Sequence, residues 1–237
     1  MMNNKGYSQG KIMKTILAGY GLIILCGAVL LYLPISIKVD TDVAFIDALF
    51  TAVSATCVTG LVVFDTYSQW TVFGQLVILL MVQIGGVGFM TFAIFVITLT
   101  HRPISLRQRS LIRDSLSASQ LGGIVRISRF ILGGCILLEL LGMLLLAIRF
   151  CPLLGFGEGL YFALYHSICA FCNSGFDLMG KFAPFSSLTA FSGDALVNFV
   201  ICGLIVLGGL GFLVWTDIFQ KGFHWRKYEL HSKLTIV

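Results

Sequence analysis

The chain has 237 residues, 57% of them hydrophobic and only 11% charged, with a mean hydropathy of +0.95. A soluble domain carries roughly 25% charged residues, so no aqueous core could hide this much apolar side chain, and lipid is the expected solvent. The net charge of +5 does not point to nucleic acid, because the basic residues crowd the ends of apolar runs, where the Lys/Arg bias of cytoplasmic loops accounts for them.

In chain order, MMNNKGYSQGKIMK leads into an apolar run over residues 15–33. That run is too long for the core of a secretion signal and ends in YLPISIK, not at a small-residue cleavage site, so a retained transmembrane helix is expected. Three more runs are long enough to span, at residues 72–99, 124–148 and 196–219. Two shorter ones, 43–55 and 159–171, each lie between full spans and are expected as re-entrant segments or as loops packed on the surface. Thirteen of the sixteen basic residues fall in the N-terminal segment, the 100–129 region and the tail after residue 219. Lys38, Arg149 and Lys181 remain on the other side, with Asp40, Asp42, Asp47, Asp65, Glu158, Asp177 and Asp194. The basic side is therefore expected to be cytoplasmic, with both termini there, and the acidic outer face would concentrate cations. Of seven cysteines, five lie in or beside apolar runs, where Cys acts as a small hydrophobe. The Cys169–Cys172 spacing has no second pair or histidine cluster to make a metal or redox site.

An internal repeat organises the chain. FIDALFTAVSATCVTGL (residues 45–61) aligns with LYFALYHSICAFCNSGF (residues 160–176) at an offset of 115, pairing Ala48 with Ala163, Leu49 with Leu164, Ala55 with Ala170, Cys57 with Cys172 and Gly60 with Gly175. GGVGF (85–89) then matches GGLGF (208–212) at an offset of 123, so the second copy carries eight extra residues between loop and helix. The expected fold is an all-α membrane protein of two tandem helix–pore-loop–helix units, parallel repeats about an axis along the membrane normal. The units cover residues 1–100 and 124–219, joined by a basic cytoplasmic linker at 101–123 and followed by a cytoplasmic tail at 220–237. Apolar residues among the arginines of segment 99–123 make it either an amphipathic surface helix or a docking face.

Irregular backbone inside a membrane is tolerated where it is buried in protein or lines a water-filled path. There its carbonyls can replace the hydration shell of a cation, and the C-terminal end of a half-helix before it adds partial negative charge. Pointing successive carbonyls inward needs alternating dihedrals, which glycine permits. Cys57, Val58, Thr59, Gly60 and Leu61 are the candidate lining of one loop, and Cys172, Asn173, Ser174, Gly175 and Phe176 of the other. K⁺ would be held at Val58, Thr59, Gly60, Asn173, Ser174 and Gly175. Gly85, Gly86, Gly88, Gly208, Gly209 and Gly211 serve close packing or a helix bend. Glu139, an acid inside the 124–148 span, is expected to hydrogen-bond a neighbouring helix. A hydrolase reading would need His166 to activate Ser167 or Ser174, and residues adjacent in sequence rarely face each other.

DALFTAVSATCVTGLVVFDT, QIGGVGFMTFA and HSICAFCNSGFDL resemble the membrane subunits of the Trk/Ktr/HKT superfamily of potassium transporters, most closely its KtrB-like members, over nearly the whole chain. The resemblance implies a potassium-channel-like architecture with four helix–pore-loop–helix units, each loop giving a quarter of a selectivity filter around a glycine, here Gly60 and Gly175. It implies K⁺ uptake across the plasma membrane with K⁺ preference at Gly60, Na⁺ coupling, no organic cofactor, homodimers of the full-length protein and gating by a KtrA-like cytosolic nucleotide-binding ring. It also implies that this chain holds two of the four units, a truncated or split half. The alternatives are a non-conducting half-subunit or a Na⁺-selective transporter of the same fold.

Overall fold

The computed structural model describes residues 4–38, 43–88, 124–222 and 228–237. The basic linker at 101–123, with its expected docking face, lies outside the described residues. The described residues form helices α1 (Asn4–Tyr32), α2 (Phe45–Thr56), α3 (Thr66–Gln69), α4 (Val72–Val87), α5 (Ile124–Leu154), α6 (Phe156–Phe171), α7 (Ala195–Gly209), α8 (Phe212–Lys221) and α9 (Leu230–Ile236). Short 3₁₀ turns occur at Pro34–Ser36, Met179–Lys181 and Ser187–Phe191, and no strand is present among the described residues.

Local chemistry sets the helix ends. A 3₁₀ turn with Pro34 in its first position follows the end of α1. Asp47 accepts a hydrogen bond from the Ala44 amide at 3.1 Å, starting α2. Thr71 accepts from Gly74 N and caps α4, and Asp194 accepts from Leu196 N and Val197 N and caps α7. Gly155, at φ +85°, makes the one-residue turn from α5 to α6.

Packing follows the repeat. α1 packs on α2 and α4, and α2 on α4; in the same way α5 packs on α6 and α7, and α6 on α7. The two halves meet where α4 lies on α6 and where α3 touches the Met179–Lys181 turn. Trp70, Phe150, Phe162 and Tyr165 are completely or almost completely buried. Large apolar side chains instead face outward along α1 (Leu17, Leu22, Leu25) and α5 (Leu137, Leu141, Leu144, Ile148). Continuous apolar faces of this kind suit lipid, not water. Residues 131–154 of α5 are long and apolar enough to cross a membrane, and Ile16–Tyr32, Phe45–Thr56, Val72–Val87 and Ala195–Gly209 are shorter apolar helices.

One expected span is broken. Residues 196–219 do not form one helix: α7 stops at Gly209 and α8 restarts at Phe212, across Gly211 at φ +82°. The aligned Gly88 ends α4 at φ +85°, and the part of the expected second span from residue 89 to 99 lies outside the described residues. The aligned glycines thus stand at a helix end in one repeat and at a helix restart in the other, with a dihedral that glycine adopts without steric cost.

Candidate functional site

α2 and α6 end in the same way. Cys57 and Cys172 close the helices in right-handed conformation, and Val58 (φ +56°) and Asn173 (φ +57°) then turn left-handed. Val58 N bonds Ala55 O and Thr59 N bonds Ser54 O; 115 residues on, Asn173 N bonds Ala170 O and Ser174 N bonds Cys169 O. These are the two bonds of a Schellman motif, which satisfies carbonyls that a helix end otherwise leaves orphaned. Unusually, a β-branched residue and an asparagine occupy the left-handed position, where each costs roughly 1–2 kcal/mol of strain. Gly60 (φ +73°) and Gly175 (φ +75°) follow two residues later. Each loop thus carries positive φ at alternate residues, in identical register. Side-chain bonds brace the same step: Thr59 Oγ1 donates to Ser54 Oγ at 2.9 Å, and Ser174 Oγ to Cys169 O at 3.3 Å.

The structure brings the two loops together. A Cβ on Gly60 would collide with the Ser174 carbonyl and lie 3.1 Å from Gly175 Cα. The loops differ in cover: Cys57, Thr59 and Leu61 are exposed, whereas Cys172, Ser174 and Phe176 are buried and Asn173 and Gly175 exposed.

The glycines at the ends of α4 and α7 press on these loops. A Cβ on Gly85 would strike the carbonyl of Thr56, at the foot of the first loop, and one on Gly208 the carbonyl of Phe171, at the foot of the second. Gly86 reaches across the seam, where a Cβ would lie 2.5 Å from Cys172 Sγ, and Gly209 lies near the Asn173 amide. Gly88 and Gly211 have open space around them and serve the helix break. Packing and bending are therefore divided between different glycines of one motif.

Other polar groups hold the loops in place. Glu139 on α5 accepts from Gln83 on α4, at 2.9 Å and 3.2 Å to its two oxygens, so the expected bond to a neighbouring helix is present. His166 has both ring nitrogens committed: Nδ1 donates to Phe162 O at 2.7 Å and Nε2 accepts from Leu178 N at 3.3 Å. Ser167 donates to the Glu139 carbonyl at 2.6 Å, so neither it nor Ser174 is paired with a base. Sequence reasoning missed Asp65. It is almost fully buried and accepts from Ser68 N and from Phe185 N, 120 residues away, in the longer segment after the second loop. Its only sequence signal was an acidic residue beyond the first loop. Asp177, just past the second loop, has its carboxyl pushed up by burial and, secondarily, by the charge of Asp65. Among the described residues no cluster of His, Cys, Asp and Glu could hold a metal.

The geometry is that of two short helices aimed at one locus, each ending in an extended loop of alternating dihedrals, backed by glycine-bearing helices. Residues 27–234 match the TrkH family, described as a cation transport protein. The chain is 43% identical to the Ktr system potassium uptake protein B of Bacillus subtilis over 218 residues, 92% of this chain and 47% of that protein. It is 36% identical to the potassium/sodium uptake protein NtpJ of Enterococcus hirae, covering 93% of this chain and 48% of that one. With the Ktr system potassium uptake protein B of Vibrio alginolyticus it shares 35% identity, over 97% and 49%. The chain spans about half the length of the curated relatives it matches.

Proposed function

The chain belongs to the TrkH family of cation transport proteins, and on that premise we propose that it supplies two quarters of a K⁺-uptake pathway in the plasma membrane. Residues 1–100 and 124–219 are the two pore units, joined by the basic linker at 101–123, with both termini cytoplasmic. The carbonyls of Val58, Thr59 and Gly60, with those of Asn173, Ser174 and Gly175, replace part of the hydration shell of K⁺. The C-terminal ends of α2 and α6 add partial negative charge at the same locus. One observation carries the reading: the two loops, 115 residues apart, share the same Schellman bonds and the same pairs of positive φ. Helix capping accounts for the left-handed turn at Val58 and Asn173, but not for the second positive φ at Gly60 and Gly175 or for the approach of Gly60 to the Ser174 carbonyl.

A complete ring takes four such loops, so uptake requires either a second half or a second copy of this chain. Na⁺ coupling, dimerisation of the full-length protein and control by a cytosolic nucleotide-binding ring belong to the same proposal. The relatives' names support both K⁺ and, through the potassium/sodium uptake protein, Na⁺ as cargo; a Na⁺-selective path is the second reading.

The test is Rb⁺ flux into liposomes holding this chain alone, with Gly60→Asp as control. Flux abolished by the substitution means that copies of the chain complete the pathway. Absence of flux, restored by adding the other half of a longer relative, means that the chain is half a pore. Absence of flux under both conditions overturns the proposal.

A further inference from the structure

We propose that Gln83 and Glu139 form a positioning pair that holds the second loop at Cys172 and through it sets ion discrimination. The inference rests on the reading of the loops as the ion path.

Glu139 is 5% exposed, yet both its oxygens lie within reach of one amide, Gln83 Nε2. The other end of that amide, Gln83 Oε1, accepts from Cys172 Sγ at 3.8 Å. A buried line of polar groups therefore runs from α5 through α4 into the second loop. Gly86, one turn beyond Gln83 and on the same face, lets α4 approach Cys172 closely enough for this contact. Glu139 is itself fixed, since its carbonyl accepts from Ser167 on α6, the helix that leads into the loop. The cysteine is a weak donor, so the amide, oriented by the carboxylate, supplies the direction of the contact.

The repeat shows that this line is not a general packing device. At the offset of 123 Gln83 corresponds to Val206, and at the offset of 115 Glu139 corresponds to Ile24. The backing glycines are duplicated and the polar pair is not. It exists at the seam between the two units, where α4 touches both loops: Thr56 through Gly85 and Cys172 through Gly86. Burying an acid and an amide in an apolar seam costs free energy unless both are satisfied, and here they fix one side chain at the start of the loop whose carbonyls form the proposed ion path.

Two readouts test this in the protein as it occurs in its membrane. The first is peptide-resolved alkylation by N-ethylmaleimide, which requires no transport. Cys172 is 8% exposed. Glu139→Ala and Gln83→Ala should each raise its labelling rate by about tenfold, the effect of losing one buried hydrogen bond. Glu139→Gln, which keeps an acceptor for Gln83, should leave the rate near wild type. The double alanine variant should label no faster than either single one, and the aligned Cys57 should not change. Unchanged labelling of Cys172, or a matching rise at Cys57, overturns the positioning pair. The second readout is the ratio of Rb⁺ to Na⁺ uptake, which should fall in the alanine variants and be restored in Glu139→Gln. A constant ratio with raised Cys172 labelling overturns the role in ion discrimination. Wild-type protein that takes up no Rb⁺ even with the other half of a longer relative added overturns the transport reading, and the alkylation result still decides the pair.

Discussion

Asp65 shows how much a single carboxylate can hold. It starts α3 through Ser68 N and anchors the longer segment after the second loop through Phe185 N, with Gly180 packed directly against its oxygens. Asp65→Ala would leave two amides without their acceptor, a loss of about 1–3 kcal/mol each when buried. We expect a clear drop in the melting temperature of the detergent-purified protein. Asp65→Asn, which keeps one acceptor oxygen, should lose about half as much. His166 behaves similarly. Its Nδ1 bond to Phe162 O fixes the ring on α6 and its Nε2 bond joins α6 to Leu178 beyond the second loop, so its place in the sequence next to Ser167 has a structural meaning.

Among the elements, α7 separates two kinds of glycine. Gly208 meets the Phe171 carbonyl, while Gly203, on the same helix, faces open space. Gly208→Ala should therefore push the second loop and lower both stability and uptake. Gly203→Ala should stabilise the protein by up to about 1 kcal/mol, the helix-propensity gain, and thermal melting of the two variants separates the cases. The start of α7 adds a pH dependence. Arg149, hydrogen-bonded to Asp194, holds that carboxyl below the usual carboxylate range, helped by the amides of Val197 and Leu196. A group whose value is lowered by folding stabilises the folded state above the ordinary carboxylate range and loses that contribution as pH falls through the lowered value. An acid melt should thus show a larger loss of stability in wild type than in Asp194→Asn, which carries no titrating group there. A loss of equal size in both would remove Asp194 from the acid response.

At the scale of the whole molecule, the two repeats are joined by a few specific polar contacts. Tyr161 Oη on α6 donates to Gln75 Oε1 on α4 at 2.9 Å, and Gln75 Nε2 in turn donates to Trp70 O. Tyr161→Phe should cost about 1 kcal/mol, and a double-mutant cycle with Gln75→Leu should give a coupling of at least 0.5 kcal/mol, roughly the threshold for residues in contact. Additive losses would mean that the seam is held by packing alone. Much of this architecture was legible along the chain. Apolar runs gave the helices, because a stretch long enough to meet lipid is a local property. The repeat gave the equivalence of the loops, and Gly60 and Gly175 marked the backbone positions where a positive φ comes without strain. Two things depended on distant residues meeting and could not be read in order. They are the docking of Phe185 on Asp65 across 120 residues and the line from Glu139 through Gln83 to Cys172. Periodicity and motif spacing record what a residue needs from its own helix or loop, whereas a buried hydrogen bond across the seam records only what packing has brought beside it.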